Sequence, residues 1–233
     1  MKKDLRQIDF LTKWYKMFGI DYLFYKPDST EPRIQKQEKQ ESYSFPNSLD
    51  FSNLDDLRNA VLKIDCPLKK MAKNTVFSDG SPDSDIMIIG EAPGQEEDEQ
   101  GKPFVGQSGQ LLNNMLLAVG LKRSEVYISN VLFWRPPGNR TPSTDELSLC
   151  LPYVERHIAL INPKILLLLG GVAVKTILNT SDSISKIRGR KNAYRGIDTI
   201  ATFHPAYLLR SPGQKAVAFR DFISLRRLLD SFN

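Results

Sequence analysis

At 233 residues, 41% hydrophobic and 25% charged, the chain has room for one substantial domain with a core and not for two large ones. No apolar run nears the roughly 20 residues that span a bilayer, and the start, Met1-Lys2-Lys3-Asp4-Leu5-Arg6, leads into no signal-like apolar stretch. This argues against a membrane partner and sets a cytoplasmic expectation. The net charge of +5 favours a polyanionic partner without naming one.

Residues 4–19 carry Ile8, Leu11, Tyr15 and Phe18 at three- and four-residue spacing, the pattern of an amphipathic helix. An N-terminal helical appendage is therefore expected over 1–26. Residues 27–50, rich in Pro, Gln, Glu, Lys and Ser without an apolar period, read as a flexible linker. The globular domain spans 51–233. It opens with a short helix, Asp55 to Leu62, with Leu54, Leu57, Val61 and Leu62 on one face. Strands at 85–90, 126–131, 164–169 and 198–203 then alternate with helices at 107–119, 144–161 and 172–179, and a last helix covers 216–231. This alternation predicts an α/β fold: a single three-layer αβα domain on a central parallel four-stranded sheet. Lys164-Ile165-Leu166-Leu167-Leu168-Leu169 lacks polar alternation, as a central strand buried on both faces requires.

The densest chemistry follows the first strand. Asp85-Ile86-Met87-Ile88-Ile89 runs into Gly90-Glu91-Ala92-Pro93-Gly94-Gln95-Glu96-Glu97-Asp98, then Gly101-Lys102-Pro103-Phe104-Val105-Gly106. Gly, Pro and carboxylates at the carboxyl end of a strand mark the place where open α/β sheets bind ligands. The glycine spacing matches neither a P-loop nor a dinucleotide fingerprint, and the carboxylates would repel phosphate. Such a loop suits water activation or stabilisation of a cationic transition state; a solvated acidic turn would look the same. Phe104 reads either as a plug on the core or as a platform for a planar base.

Asn130 ends the second strand. Its amide carries a donor and an acceptor and can read one edge of a base, although Asn also serves as a plain turn residue there. His204-Pro205 ends the last strand, where an imidazole can donate to a developing oxyanion. Of the two histidines, His157 falls mid-helix and reads as structural or exposed. Ala206-Tyr207-Leu208-Leu209-Arg210-Ser211-Pro212 is a turn with adjacent leucines, which either wedges into a base stack or packs on the core. Arg135 and Arg140 flank a Pro-Pro-Gly turn, and Lys186, Arg188, Arg190, Lys191 and Arg195 crowd one segment. Each set is a phosphate contact or a solvated loop. Strand ends offering Glu, Asn and His predict one polar pocket.

These stretches together resemble the uracil-DNA glycosylase superfamily, most closely the family 4 enzymes, which usually carry an iron–sulfur cluster. The resemblance is carried by Gly90-Glu91-Ala92-Pro93-Gly94, Glu97-Asp98, Gly101-Lys102-Pro103-Phe104-Val105-Gly106, Tyr127-Ile128-Ser129-Asn130, Arg135-Pro136-Pro137-Gly138-Asn139-Arg140 and His204-Pro205-Ala206-Tyr207-Leu208-Leu209-Arg210. It implies uracil-containing DNA as partner, with the base flipped into the pocket. It implies catalytic roles for Glu97, Asn130 and His204. Phe104 would stack on uracil, and Asn130 would bond its polar edge and favour it over cytosine. His204 would stabilise negative charge on uracil O2. Glu97 would activate water or stabilise the oxocarbenium-like sugar, and the backbone amides of Glu91 and Ala92 would add donors. Leu208, Leu209 or Arg210 would fill the hole left by the base. Arg135, Arg140, Arg188, Arg190 and Lys191 would contact DNA.

The chain departs from this family at the cluster, which there takes four cysteines. Here Cys66, before Pro67-Leu68, and Cys150 keep two ligand positions, whereas Lys63 and Trp134 stand at the other two. Neither supplies a thiolate, and ligation normally takes four. No ordinary 4Fe–4S cluster is expected, and the resembled chemistry requires none; Trp134 would fill the void. No inserted loop with a reactive His lies between Asn130 and Arg140, and no Lys falls among the pocket residues, so hydrolysis without lyase activity is expected. The expected protein is a monomeric hydrolase that releases uracil, leaves an abasic site and so initiates base excision repair. Its N-terminal helix would be free to bind another protein. Two alternatives stay open: a catalytically impaired DNA-binding module of the same fold, and a glycosylase for another deaminated base such as hypoxanthine.

Overall fold

Strands β2 (Ile86–Gly90) and β4 (Ile165–Leu169) contain no polar side chain and are buried at every position. Such strands have no face to offer water, so they occupy the middle of a sheet covered on both sides. The computed structural model describes residues 51–232, and there β2 and β4 pair in parallel at the centre. The N-terminal helix and linker expected over residues 1–50 lie outside the described residues.

β3 (Tyr127–Asn130) pairs in parallel with β2, and β6 (Ile197–Thr202) with β4, which gives the expected four parallel strands in the order β3-β2-β4-β6. Among the described residues the sheet has six strands, not four. β1 (Asp79–Gly80) lies antiparallel on β3, and β5 (Asn192–Tyr194) antiparallel on β6. Two and three residues are too short to show a period-2 pattern, so the sequence offered no signal for them.

The helices cover both faces. Met87, Ile89, Leu166, Leu168 and Ala201 face a core shared with α1 (Leu54–Val61), α4 (Thr144–Ile161) and α5 (Gly171–Leu178). On the other face lie α3 (Gln107–Ala118) and α8 (Lys215–Asp230), with α8 packed on β4 and β6. Three helices were not foreseen: α2 (Gln95–Gln100), α6 (Ile184–Ile187) and α7 (Pro205–Arg210). The helix ends follow local chemistry. Ser143 caps α4 in a reciprocal box with Glu146, and Asn162 closes it in the left-handed conformation. The carboxyl ends of β2, β3 and β6 emerge on one edge of the sheet, which places Gly90, Asn130 and the segment to His204 together.

Candidate active site

Register pairs Gly90 with Asn130 across β2 and β3. A Cβ on Gly90 would lie 2.5 Å from Asn130 Oδ1 and 2.5 Å from Phe104 Cζ. Only glycine allows the amide and the ring to close over the strand end. Asn130 is 1% exposed, and neither its Oδ1 nor its Nδ2 has a partner among the described residues. A buried amide left unpaired costs about 1–3 kcal/mol, which makes Asn130 a candidate binding group.

Phe104 is buried, with its ring 5.5 Å from that of His204. Its φ is +52°, in the left-handed region that bulky residues avoid. Holding it there costs about 1–3 kcal/mol.

His204 caps α7 through its side chain: the Ala206 amide donates to Nδ1 at 3.2 Å. An accepting Nδ1 leaves the proton on Nε2, so the ring presents a donor. Burial, aided by the Arg210 charge and opposed by Glu97, pushes the imidazole down to about 4. It is therefore neutral at pH 7. A neutral N–H donor polarises a developing oxyanion without needing a proton from solvent.

The acidic loop folds on itself. Glu97 is buried, and its Oε1 accepts from the amides of Val105 (2.9 Å) and Gly106 (2.8 Å) while Oε2 accepts from Gly94 (3.1 Å). This carboxylate knits α2 to the Phe104 turn. Asp98 does the same on the other side, accepting from the amides of Lys73 and Asn74. Glu96 is exposed. Glu91 is half-buried, and burial raises its carboxyl above the usual range against the opposing pull of Arg210.

The wedge residues separate. Leu208 is fully buried in the core, whereas Leu209 is 40% exposed and Tyr207 and Arg210 are exposed beside it. The basic residues separate too. Arg188 donates to both oxygens of buried Asp221 and to Val217 O, and Asp221 also accepts from Thr202. Its guanidinium is structural. Arg140 forks onto Glu146, Arg135 bonds Asn139, and Lys191 pairs with Asp198, all near the surface. Arg190 is exposed. His157 is fully buried, bonded to the Tyr127 hydroxyl at 2.8 Å and stacked on Phe77.

The sequence model of the Uracil DNA glycosylase superfamily matches residues 77–224, which include all of these strand ends. The chain belongs to the uracil DNA glycosylase superfamily. It is 38% identical over 188 residues to a type-4 uracil-DNA glycosylase of Sulfurisphaera tokodaii, covering 76% of this chain and 86% of that one. A type-4 enzyme of Thermotoga maritima is 42% identical over 63% of this chain and 77% of its own. One from Saccharolobus solfataricus is 39% identical over 78% of this chain and 88% of its own.

The iron–sulfur cluster implied by the family 4 resemblance does not fit the residues at its positions. Trp134 is 1% exposed, its indole N–H donates to Thr75 Oγ1 at 2.9 Å, and its ring meets Phe133 edge-on. It shares a core with Cys66, Cys150 and Val154. Lys63 is exposed. Burial, then the neighbouring Cys66, pushes the Cys150 thiol up to about 12. Among the described residues no group of three or more His, Cys, Asp or Glu could hold a metal ion. Among those residues, too, no helix is long and apolar enough to cross a membrane.

Proposed function

We propose that the chain is a hydrolytic uracil-DNA glycosylase that flips deoxyuridine out of DNA and cleaves its N-glycosidic bond, releasing uracil and leaving an abasic site. The observation that carries this reading is the buried amide of Asn130, whose donor and acceptor both lack partners beside Phe104 and His204. The 4-carbonyl of uracil accepts and its N3–H donates, so one amide satisfies both. Cytosine offers the reverse pattern and would leave the buried amide unpaired, a mismatch that sites of this kind reject strongly.

Uracil leaves as an anion with charge on O2. The His204 Nε2–H meets that charge, and the amides of Glu91 and Ala92 add donors. The departing base leaves a cationic sugar, which the negative loop stabilises. Glu97, with its oxygens committed to three amides, acts as a fixed charge and as the brace of the loop. Among the described residues no hydrogen bond engages the carboxylate of Glu91, and its raised affinity for protons suits a group that takes one from water. We assign it water activation, in place of Glu97. No lysine joins these groups, so no lyase step is assigned.

Leu209, exposed at the tip of α7, is the residue that fills the gap in the stack, with Arg210 beside it. Arg135, Arg140, Arg190 and Lys191 meet the phosphates; the ion pairs of Arg140 and Lys191 lie near the surface, where such pairs are weak enough to exchange for DNA. The enzyme works as a cytoplasmic monomer, without a 4Fe–4S cluster, in base excision repair, and its N-terminal segment recruits a protein partner.

The test is a labelled oligonucleotide with one deoxyuridine, single-stranded or paired with guanine or adenine, incubated with the protein and treated with alkali. A companion substrate carries hypoxanthine. Scission at uracil is the expected result. Folded protein that cuts no uracil context overturns the reading, and scission at hypoxanthine alone moves it to another base.

A further inference from the structure

Arg123 takes no part in the chemistry above, yet its guanidinium is spent on the turn that carries Phe104. Its Nη2 donates to Pro103 O at 2.6 Å and its Nη1 to Phe104 O at 2.9 Å. The same group is held in place by Asp79 of β1, at 2.8 Å from Nε and from Nη2, and by Asn113 of α3 at 3.1 Å. A guanidinium is a rigid fork with donors on two edges, so it can grip two successive carbonyls while a carboxylate fixes its other side.

The two residues after Phe104 are held by a second charge. The amides of Val105 and Gly106 both donate to Glu97 Oε1. The peptide units on both sides of Phe104 are thus fixed: the cation takes the carbonyls of Pro103 and Phe104, and the anion takes the amides of Val105 and Gly106. A third constraint comes from α3. A Cβ on Gly109 would lie 1.9 Å from Phe104 O, so the helix backbone lies directly against the turn. Phe104 itself sits at φ +52°, a conformation that persists only where its surroundings over-determine it.

We propose that Arg123, anchored by Asp79, is a positioning residue that holds the base-stacking Phe104 in its left-handed conformation and so sets the ring against the flipped uracil. This rests on the glycosylase reading. Arg123 touches neither base nor sugar and acts through Phe104 alone.

The consequence is a dependence between the two residues. Single-turnover cleavage of a deoxyuridine oligonucleotide is measured for wild type, Arg123→Ala, Arg123→Lys, Phe104→Ala and the doubles. Misplacing a reacting partner by about 1 Å costs about 100-fold, which is the loss expected for Arg123→Ala. Arg123→Lys keeps the charge but reaches only one carbonyl, and falls between. In the Phe104→Ala background either change costs little more, because the ring it positions is gone. Losses that multiply overturn the proposal, since a merely structural arginine would weaken both backgrounds alike.

A second measurement needs no activity. Backbone NMR shifts of labelled Phe104 in Arg123→Lys report whether its φ leaves the positive region, as expected. An unchanged left-handed Phe104 overturns the clamp, whatever the substrate. A wild type inactive on uracil overturns the functional reading instead, so the two failures are told apart.

Discussion

Replacing Asn130 with leucine separates binding from folding. Leucine branches at the same carbon and has the same number of side-chain heavy atoms as asparagine, so the change removes the polarity, with bulkier methyls in place of the planar amide. In the free protein the amide is buried with both polar atoms unpaired among the described residues. Removing it should stabilise the fold by about 1–3 kcal/mol. For a domain of this size that raises Tm by about 2–4 °C per kcal/mol. The opposite happens to catalysis. Uracil loses two hydrogen bonds and leaves its own donor and acceptor facing methyl groups, which costs about 3–5 kcal/mol in the transition state, or about 10²–10⁴-fold in kcat/KM. Thermal melts and single-turnover cleavage of a deoxyuridine oligonucleotide measure the two quantities on one preparation. A variant that melts lower than wild type and cleaves uracil within about threefold of it would refute the reasoning, because the amide would then be structural.

His157 and His204 are kept neutral mainly by burial, with pKa values of about 3 and about 4, against about 6.5 unfolded. Between those values the unfolded chain binds protons that the folded one refuses. Stability is therefore full above pH 6.5 and is lost as pH falls, by about 2 kcal/mol per histidine at pH 5; a urea midpoint that stays flat from pH 7 to 5 contradicts this. Glu97→Gln keeps one accepting oxygen and turns an N–H toward a backbone amide. It should cost about 1.5–3 kcal/mol of stability by denaturant titration, and an unchanged midpoint would remove the brace from the account. Protein purified anaerobically from iron-supplemented cells should lack iron by metal analysis and lack cluster absorbance, whereas stoichiometric iron would show that Lys63 and Trp134 do not exclude the cluster.

The central strands were legible because their burial leaves a plain mark: Ile86–Gly90 and Ile165–Leu169 hold no polar residue. The long helices were legible from apolar spacing, and the Ser143 and Glu146 box that opens α4 is a local signal the reading did not use. What was hidden depends on partners distant in sequence. The hexapeptide of α2, Gln-Glu-Glu-Asp-Glu-Gln, has no apolar face. It is tied down by Glu97 and Asp98, whose acceptors serve amides up to 25 residues away. Arg188 looked like a phosphate contact because a charge does not announce its counter-ion, Asp221, 33 residues on. Leu208 and Leu209 are equivalent in sequence, and only the turn of α7 buries one and exposes the other. Asn130, Phe104 and His204 were singled out from their places at or beside strand ends, and the fold brings them together. That Glu97 is a brace could be seen only from its hydrogen bonds.

In the proposed reaction three groups meet one base, and the most direct measurement is the single-turnover rate of uracil release from a deoxyuridine oligonucleotide by wild type, Asn130→Ala and His204→Ala. Release by wild type, with each variant reduced by about 100-fold or more at unchanged folding, is the predicted result. Wild-type release that survives both substitutions would contradict the account, as would folded wild-type protein that binds the DNA and leaves every uracil in place.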